Sequence, residues 1–295
     1  MLKQFLGAAS DELITGRIAL SLSYNGSAYH GWQLQKSGLP TVQQALEQAL
    51  SQVANQPIKL VCAGRTDRSV HASHQLVHFV TTAKRNQKSW ILGCNANLPS
   101  DISVSWVGAV DETFHARFSA LSRRYLYCIY NHPVRSASFS SEMTWCHYPL
   151  DERKMHEAAQ SLVGCHDFSS FRAAGCQAKS PIREMEFVNV SRIANMVVID
   201  IKGNAFLHHM VRNIAGVLMS VGRGAEPVSW SKTVLAAKDR AKGDVTASPC
   251  GLYLTHVEYP SEFNIPASGG APGFVQAMMV AAGHAEYVPM PLKES

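Results

Sequence analysis

The chain has 295 residues, 46% hydrophobic and 17% charged, with 27 Lys and Arg against 22 Asp and Glu for a formal net charge of +5. That composition excludes a disordered or fibrous chain and suggests about two domains, while the mild positive charge permits a polyanionic partner without requiring one. No apolar run reaches the ~18 residues of a spanning helix; Met1 to Arg17 lacks the pattern of a signal peptide; and seven scattered Cys with no C-x-x-C pair point to reduced thiols in a cytoplasm.

Residues 1–16 read as a loosely ordered lead-in. Ile18, Leu20, Leu22 and Tyr24 then alternate with small residues at the period of a strand. Thr41-x-x-Gln44 resembles a capping box, and Val42, Ala45, Leu46, Ala49, Leu50 and Val53 form an apolar helix face behind it. Short strands are expected at 58–63 and 75–81, a helix at about 88–96, and a strand from Ile102 to Val110. The order then repeats. Arg124 to Tyr130 is a strand, and Asp151 caps a helix with Met155, Ala158, Ala159 and Leu162 inward, closed by Gly164. Strands at 183–193 and 196–201 flank a turn at Ala194-Asn195; a periodic helix runs from Phe206 to Val221, and a last strand from Leu252 to Tyr259. The expected fold is mixed α+β. It has two ferredoxin-like, RRM-like β-α-β-β-α-β halves with largely antiparallel sheets, at 17–115 and 116–260. This symmetry rests on element order, since no residue repeat accompanies it. After Pro260 the chain turns Pro- and Gly-rich. Residues 261–295 are expected to be a loose or partly ordered tail, with a docked helix from Phe274 as the alternative.

Three segments carry possible chemistry. Gly64-Arg65-Thr66-Asp67-Arg68-Ser69-Val70-His71-Ala72 follows a predicted strand and puts a carboxylate in a loop, where it can face a ligand. Alone, the Arg-Thr-Asp triplet is more simply an Asx-turn with a surface ion pair. Ser122-Arg123-Arg124-Tyr125-Leu126-Tyr127 combines cations suited to phosphate with rings that stack on bases; an ordinary strand with its Tyr in the core has the same composition. Phe206-Leu207-His208-His209-Met210-Val211-Arg212-Asn213 puts Arg212 on an apolar helix. There it needs an anionic partner or must snorkel to the rim. Adjacent His208 and His209 would point about 100° apart on a helix, a poor arrangement for sharing a metal. No P-loop, G-x-S-x-G, G-x-G-x-x-G or zinc-deaminase pattern is present.

Together the three segments resemble the TruA-type tRNA pseudouridine synthases. Gly64 to Ala72, continued by Gln75-Leu76-Val77-His78-Phe79, is similar to that family's active-site segment. Ser122 to Tyr127 is similar to its second motif, and Phe206 to Asn213 to its third. Weaker echoes lie at Tyr24-Asn25-Gly26 through Gly31-Trp32-Gln33, at Asn97-Leu98-Pro99 through Asp101-Ile102, and at His166-Asp167-Phe168-Ser169-Ser170-Phe171. The likeness therefore spans about Arg17 to Tyr259. It implies a pseudouridine-synthase-type core and an isomerase converting uridine to pseudouridine at positions 38, 39 and 40 of the tRNA anticodon stem-loop. It further implies a cytoplasmic homodimer with no metal, cofactor or membrane. By motif position, Asp67 is the catalytic carboxylate, Tyr125 the active-site tyrosine, and Arg212 the ionic partner of the Asp. Arg65 helps hold the base out of the stack, and Arg123, Arg124, His71 and Phe168 are further substrate-binding residues. Lys84, Arg85 and Lys88 add candidate phosphate contacts, which predicts salt-sensitive binding.

The family usually has Gly where Ser69 stands. A positive φ there would strain Ser69, unless the loop has adjusted. Two rival readings stay open: a non-catalytic RNA-binding protein on the same scaffold, which has no need of Asp67, and a pseudouridine synthase with a different target uridine.

Overall fold

A computed structural model describes residues 12–266 and 270–281. Expectations for residues 1–11 and for the end of the tail lie outside the described residues. Contacts divide the chain into two compact units, Met1–Leu121 with His256–Gly269 and Ser122–Thr255 with Gly270–Ser295.

The first unit runs β1 (Leu13–Tyr24), α1 (Val42–Ala54), β2 (Val61–Cys62), β3 (His71–Asn86), α2 (Gln87–Asn97) and β4 (Ile102–Ala109). β1 lies between β4 and β3, and β2 borders β3, all antiparallel. This is a β-α-β-β-α-β unit with strand order fourth, first, third, second. Alternation along β1 sends Ile18, Leu20 and Leu22 to one face, in register with Phe79, Val77 and Gln75 of β3. Leu46, Leu50 and Trp90 from the helices are buried too, and Trp90 meets Phe79 edge-on at 5.5 Å. Thr41 caps α1 by accepting from the Gln44 amide at 3.3 Å. β1 begins at Leu13, so residues 13–16 are strand rather than lead-in. Of the strand expected at 58–63, only Val61–Cys62 forms.

The second unit runs β5 (Ser122–Asn131), β6 (Thr144–Cys146), α3 (Glu152–Ala159), β7 (Gly164–Asp167), β8 (Ile182–Ile193), β9 (Met196–Gly203), α4 (Met210–Gly222), α5 (Trp230–Ala237), the first four residues of β10 (Leu252–Glu258) and α6 (Gly273–Ala281). Its strand order is β10-β5-β9-β8-β7, with β6 parallel to β5. Without β6, β7 and α5, the order is again fourth, first, third, second. β5 is buried from Arg124 to Ile129. Tyr127 points its hydroxyl to Ser248 and Thr144, whereas Leu126 and Cys128 join a cluster on the opposite face.

Two expectations are corrected. The helix does not start at Phe206, because His209 is left-handed (φ 59°) and breaks the helical path, so α4 starts at Met210. Nor is the described tail loose. α6 docks Val275, 1% exposed, against Leu126, Cys128, Met196 and Tyr253, with Phe274, Met278 and Met279 beside it. Among the described residues no helix is long and apolar enough to cross a membrane. The seven cysteines are free.

Candidate active site

In the first unit Asp67 sits half-buried on the loop between β2 and β3. The loop is braced along its length. The Thr66 carbonyl accepts from the Trp32 amide at 3.0 Å, and the Thr66 hydroxyl pairs with the Tyr24 hydroxyl at 2.8 Å. Ser69 N donates to the Tyr29 carbonyl at 3.3 Å, and Val70 N to the Asp67 carbonyl at 3.1 Å. Gln75 clasps Gly64 at both its amide (3.3 Å) and its carbonyl (2.6 Å).

The segment after β1 can approach this closely only through two glycines. A Cβ on Gly26 would overlap the Val70 carbonyl, and one on Gly31 (φ 94°) would come within 2.8 Å of the Thr66 carbonyl oxygen. The echo at Tyr24 to Gln33 is thus the wall that holds the Asp67 loop. Ser69 has φ 61°. The loop has kept the left-handed conformation that a Gly would adopt freely, so Ser69 is strained.

In the second unit Tyr125 lies on β5 and Arg212 in the first turn of α4. The Tyr125 ring meets Phe206 edge-on at 4.9 Å. Arg212 donates from Nε to the Ala247 carbonyl at 2.8 Å. The turn before α4 is fixed by the Ala173 amide on the His208 carbonyl (3.0 Å) and by His208 N on Cys176 Sγ (3.4 Å). Below it, burial holds the Tyr127 phenol well above its ordinary pKa. It stays a neutral group and donates to the Ser248 carbonyl at 2.8 Å. Residues 247–248 are therefore tied to both α4 and β5.

Among the expected binding residues, Arg65 is exposed and Arg123 half-exposed, with Nη1 of Arg123 on the Asn204 carbonyl at 2.9 Å. The three others are buried. His71 is 1% exposed and its Nδ1 accepts from the Gly26 amide at 3.0 Å, which ties the segment after β1 to the start of β3. Phe168 is fully buried against Phe171. Arg124 lies over Phe187 and gives Nε and Nη2 to Asp200 at 2.8 and 2.6 Å, a buried bidentate pair. Composition alone does not reveal this partner, which lies 76 positions away. Arg240 and Thr246, which brace α4, carry no motif and were missed. Within either unit by itself, among the described residues, no three His, Cys, Asp or Glu side chains converge at metal-ligand distance.

The profile of a family described as tRNA pseudouridine synthase matches residues 21–119 and 158–260. The chain belongs to the tRNA pseudouridine synthase family. Asp67 and Arg212 fall inside the matched segments, and Tyr125 falls between them. The chain is 56% identical over 273 residues to a Pseudomonas aeruginosa protein named tRNA pseudouridine synthase A, covering 92% of this chain and 96% of that one. A Coxiella burnetii protein of the same name is 53% identical over 259 residues, 88% of this chain and 99% of the relative. One from Photorhabdus laumondii is 52% identical, with shares of 88% and 98%. The family expected from the three segments is the one found, and as a tRNA pseudouridine synthase the chain is an isomerase. α6 lies beyond the matched profile.

Proposed function

We propose that this chain isomerises uridine to pseudouridine at positions 38, 39 and 40 of the tRNA anticodon stem-loop. The observation that carries the reading is the Asp67 loop. A half-buried carboxylate is held on a loop braced by hydrogen bonds on both flanks, in a chain 56% identical to a protein named tRNA pseudouridine synthase A.

The reaction breaks the bond between uracil N1 and the ribose C1′, turns the ring, and joins C5 to C1′. The C5 hydrogen leaves as a proton and N1 gains one, so no electrons are gained or lost overall. Asp67 is the carboxylate that acts on the flipped-out nucleotide, and a fixed loop spares it reorganisation. Arg212 is its ionic partner, and Tyr125 stacks on the base and assists the last proton removal. Extruding the base costs a few kcal/mol, which exposed Arg65 offsets by holding it out of the stack. Arg123, Lys84, Arg85 and Lys88 contact phosphates. The homodimer and the cytoplasmic location follow from the same resemblance.

Carbodiimide mapping of tRNA after reaction tests the target. Stops at 38, 39 and 40 are expected; stops only at other uridines would support the synthase with a different target. Tight tRNA binding with no stops would favour the non-catalytic RNA-binding protein.

A further inference from the structure

Arg212 is not held by one bond alone. Residues Asp244 to Ala247 run along one face of α4 in the opposite direction, in step with its turns. Asp244 accepts from the Ser220 hydroxyl and lies 3.5 Å from Arg223. The Val245 carbonyl rests against Gly216, where any Cβ would overlap its oxygen. The Thr246 hydroxyl donates to Asn213 Oδ1 at 2.7 Å. Ala247 accepts from Arg212 Nε at 2.8 Å, and its amide donates to the Arg212 carbonyl at 3.2 Å. Three backbone steps of at most about 3.6 Å span nearly the same length as the eight helical rises of about 1.5 Å from Arg212 to Ser220. The match is therefore sustained along the helix rather than made at one point.

Arg240 clamps this strap. Its Nη2 reaches the Asp244 carbonyl at 2.8 Å, Thr246 Oγ1 at 3.0 Å and Asn213 Oδ1 at 3.1 Å. Asn213 is 1% exposed and donates its Nδ2 to the Phe171 carbonyl at 2.8 Å. Strap, clamp and helix thus share one buried amide.

We infer that this strap sets the reach of Arg212, with Arg240, Thr246 and Gly216 as positioning residues for the reaction. The inference rests on the reading of Arg212 as the partner of the catalytic carboxylate. An arginine side chain is long and flexible, and the bond from Nε to Ala247 turns it into a fixed fork. That bond does not consume the donors at the end of the fork. Anything that moves the Ala247 carbonyl moves the guanidinium with it. None of the three positioning residues has to touch RNA.

The test compares Arg240→Gln, Thr246→Val and Gly216→Ala with native protein and with Arg212→Met, scoring kcat, KM for tRNA and Tm. A shift of the order of 1 Å at the reacting centre can cost about a hundred-fold, so kcat should fall about ten- to a hundred-fold in Arg240→Gln and Gly216→Ala. KM for tRNA should stay within about two-fold, since no group that binds RNA is removed. Thr246→Val should fall less. Arg240→Lys, which keeps the charge without the fork, should recover only part of the loss. In an Arg212→Lys background, Arg240→Gln should add little, because both changes act through one group. Native kcat in the strap variants, measured below their Tm while Arg212→Met is inactive, would make the strap merely structural and overturn the inference. Native kcat in Arg212→Met would instead overturn the reading of Arg212 on which it rests.

Discussion

At the scale of single residues, Ser69 and Arg124 are the informative positions. Ser69 stands at φ 61°, where an L-residue is strained by about 1–2 kcal/mol. Ser69→Gly relieves that strain but gives up about 0.5–1 kcal/mol of chain entropy. Urea denaturation should therefore show a net gain between zero and about 1.5 kcal/mol for Ser69→Gly, against a loss of at least about 1 kcal/mol for the β-branched Ser69→Val. A clear loss in Ser69→Gly would mean that the hydroxyl matters more than the backbone. For Arg124, whose ion pair with Asp200 leaves the two side chains 10% and 16% exposed, the expected cost is of another size. Asp200→Ala strands a buried guanidinium and should cost about 3–5 kcal/mol, most of it recovered when Arg124→Met is added. Had Arg124 bound phosphate instead, Asp200→Ala would leave stability nearly untouched.

At the scale of elements, β3 carries His74 and His78 on the face opposite Val77 and Phe79. His74 is 2% exposed, with neither ring nitrogen hydrogen-bonded, and stacks on His256 at 5.8 Å. Burial, then His256, lowers its pKa to about 4. Burial, then His115 and Arg17, lowers that of His78 to about 4. The unfolded chain binds these protons near pH 6.5 and the folded chain does not until about pH 4. Stability is thus complete above pH 6.5 and is lost as the pH falls through that window. For His74 the loss is about 1.4 kcal/mol per pH unit. His74→Leu should make the decline between pH 6.5 and 4 shallower by one proton, and an unchanged slope would contradict this. On α6, Val275→Asp should cost about 3 kcal/mol or more, since it buries a charge in an apolar cluster. If α6 did not dock, the change would be neutral.

Elements with a clear period or cap were legible in the sequence. Thr41 and Asp151 cap the expected helices, and the alternation of β1 was read correctly. What was hidden depended on partners distant in sequence. β6 has three residues and exists only by pairing with β5. The start of α4 turns on the backbone of His209, which no side-chain pattern discloses. α6 has nine residues, and its docking depends on the apolar face of β5, β9 and β10, which its own sequence does not show. At the site, the local motif around Asp67 was visible. The burial of His71, Phe168 and Arg124 was not legible, because burial and pairing are tertiary facts.

At the scale of the whole molecule, both halves show the expected β-α-β-β-α-β order, and both arrange it as fourth, first, third, second. The net charge of +5 suits an RNA substrate. Binding of tRNA should weaken with salt along a log-log line whose slope grows by about −0.7 to −0.9 per phosphate neutralised, the range from single strands to duplex. Lys84→Ala or Lys88→Ala should each reduce that slope by about 1, and an unchanged slope would remove that residue from the phosphate contacts. The central claim is that Asp67 drives the isomerisation. Its most direct test is tritium release from tRNA labelled at uridine C5, with native protein and Asp67→Asn in parallel and tRNA binding measured for both. Release by native protein alone, with binding kept in Asp67→Asn, is the predicted result. Release at equal rates by both would show that the catalytic carboxylate lies elsewhere.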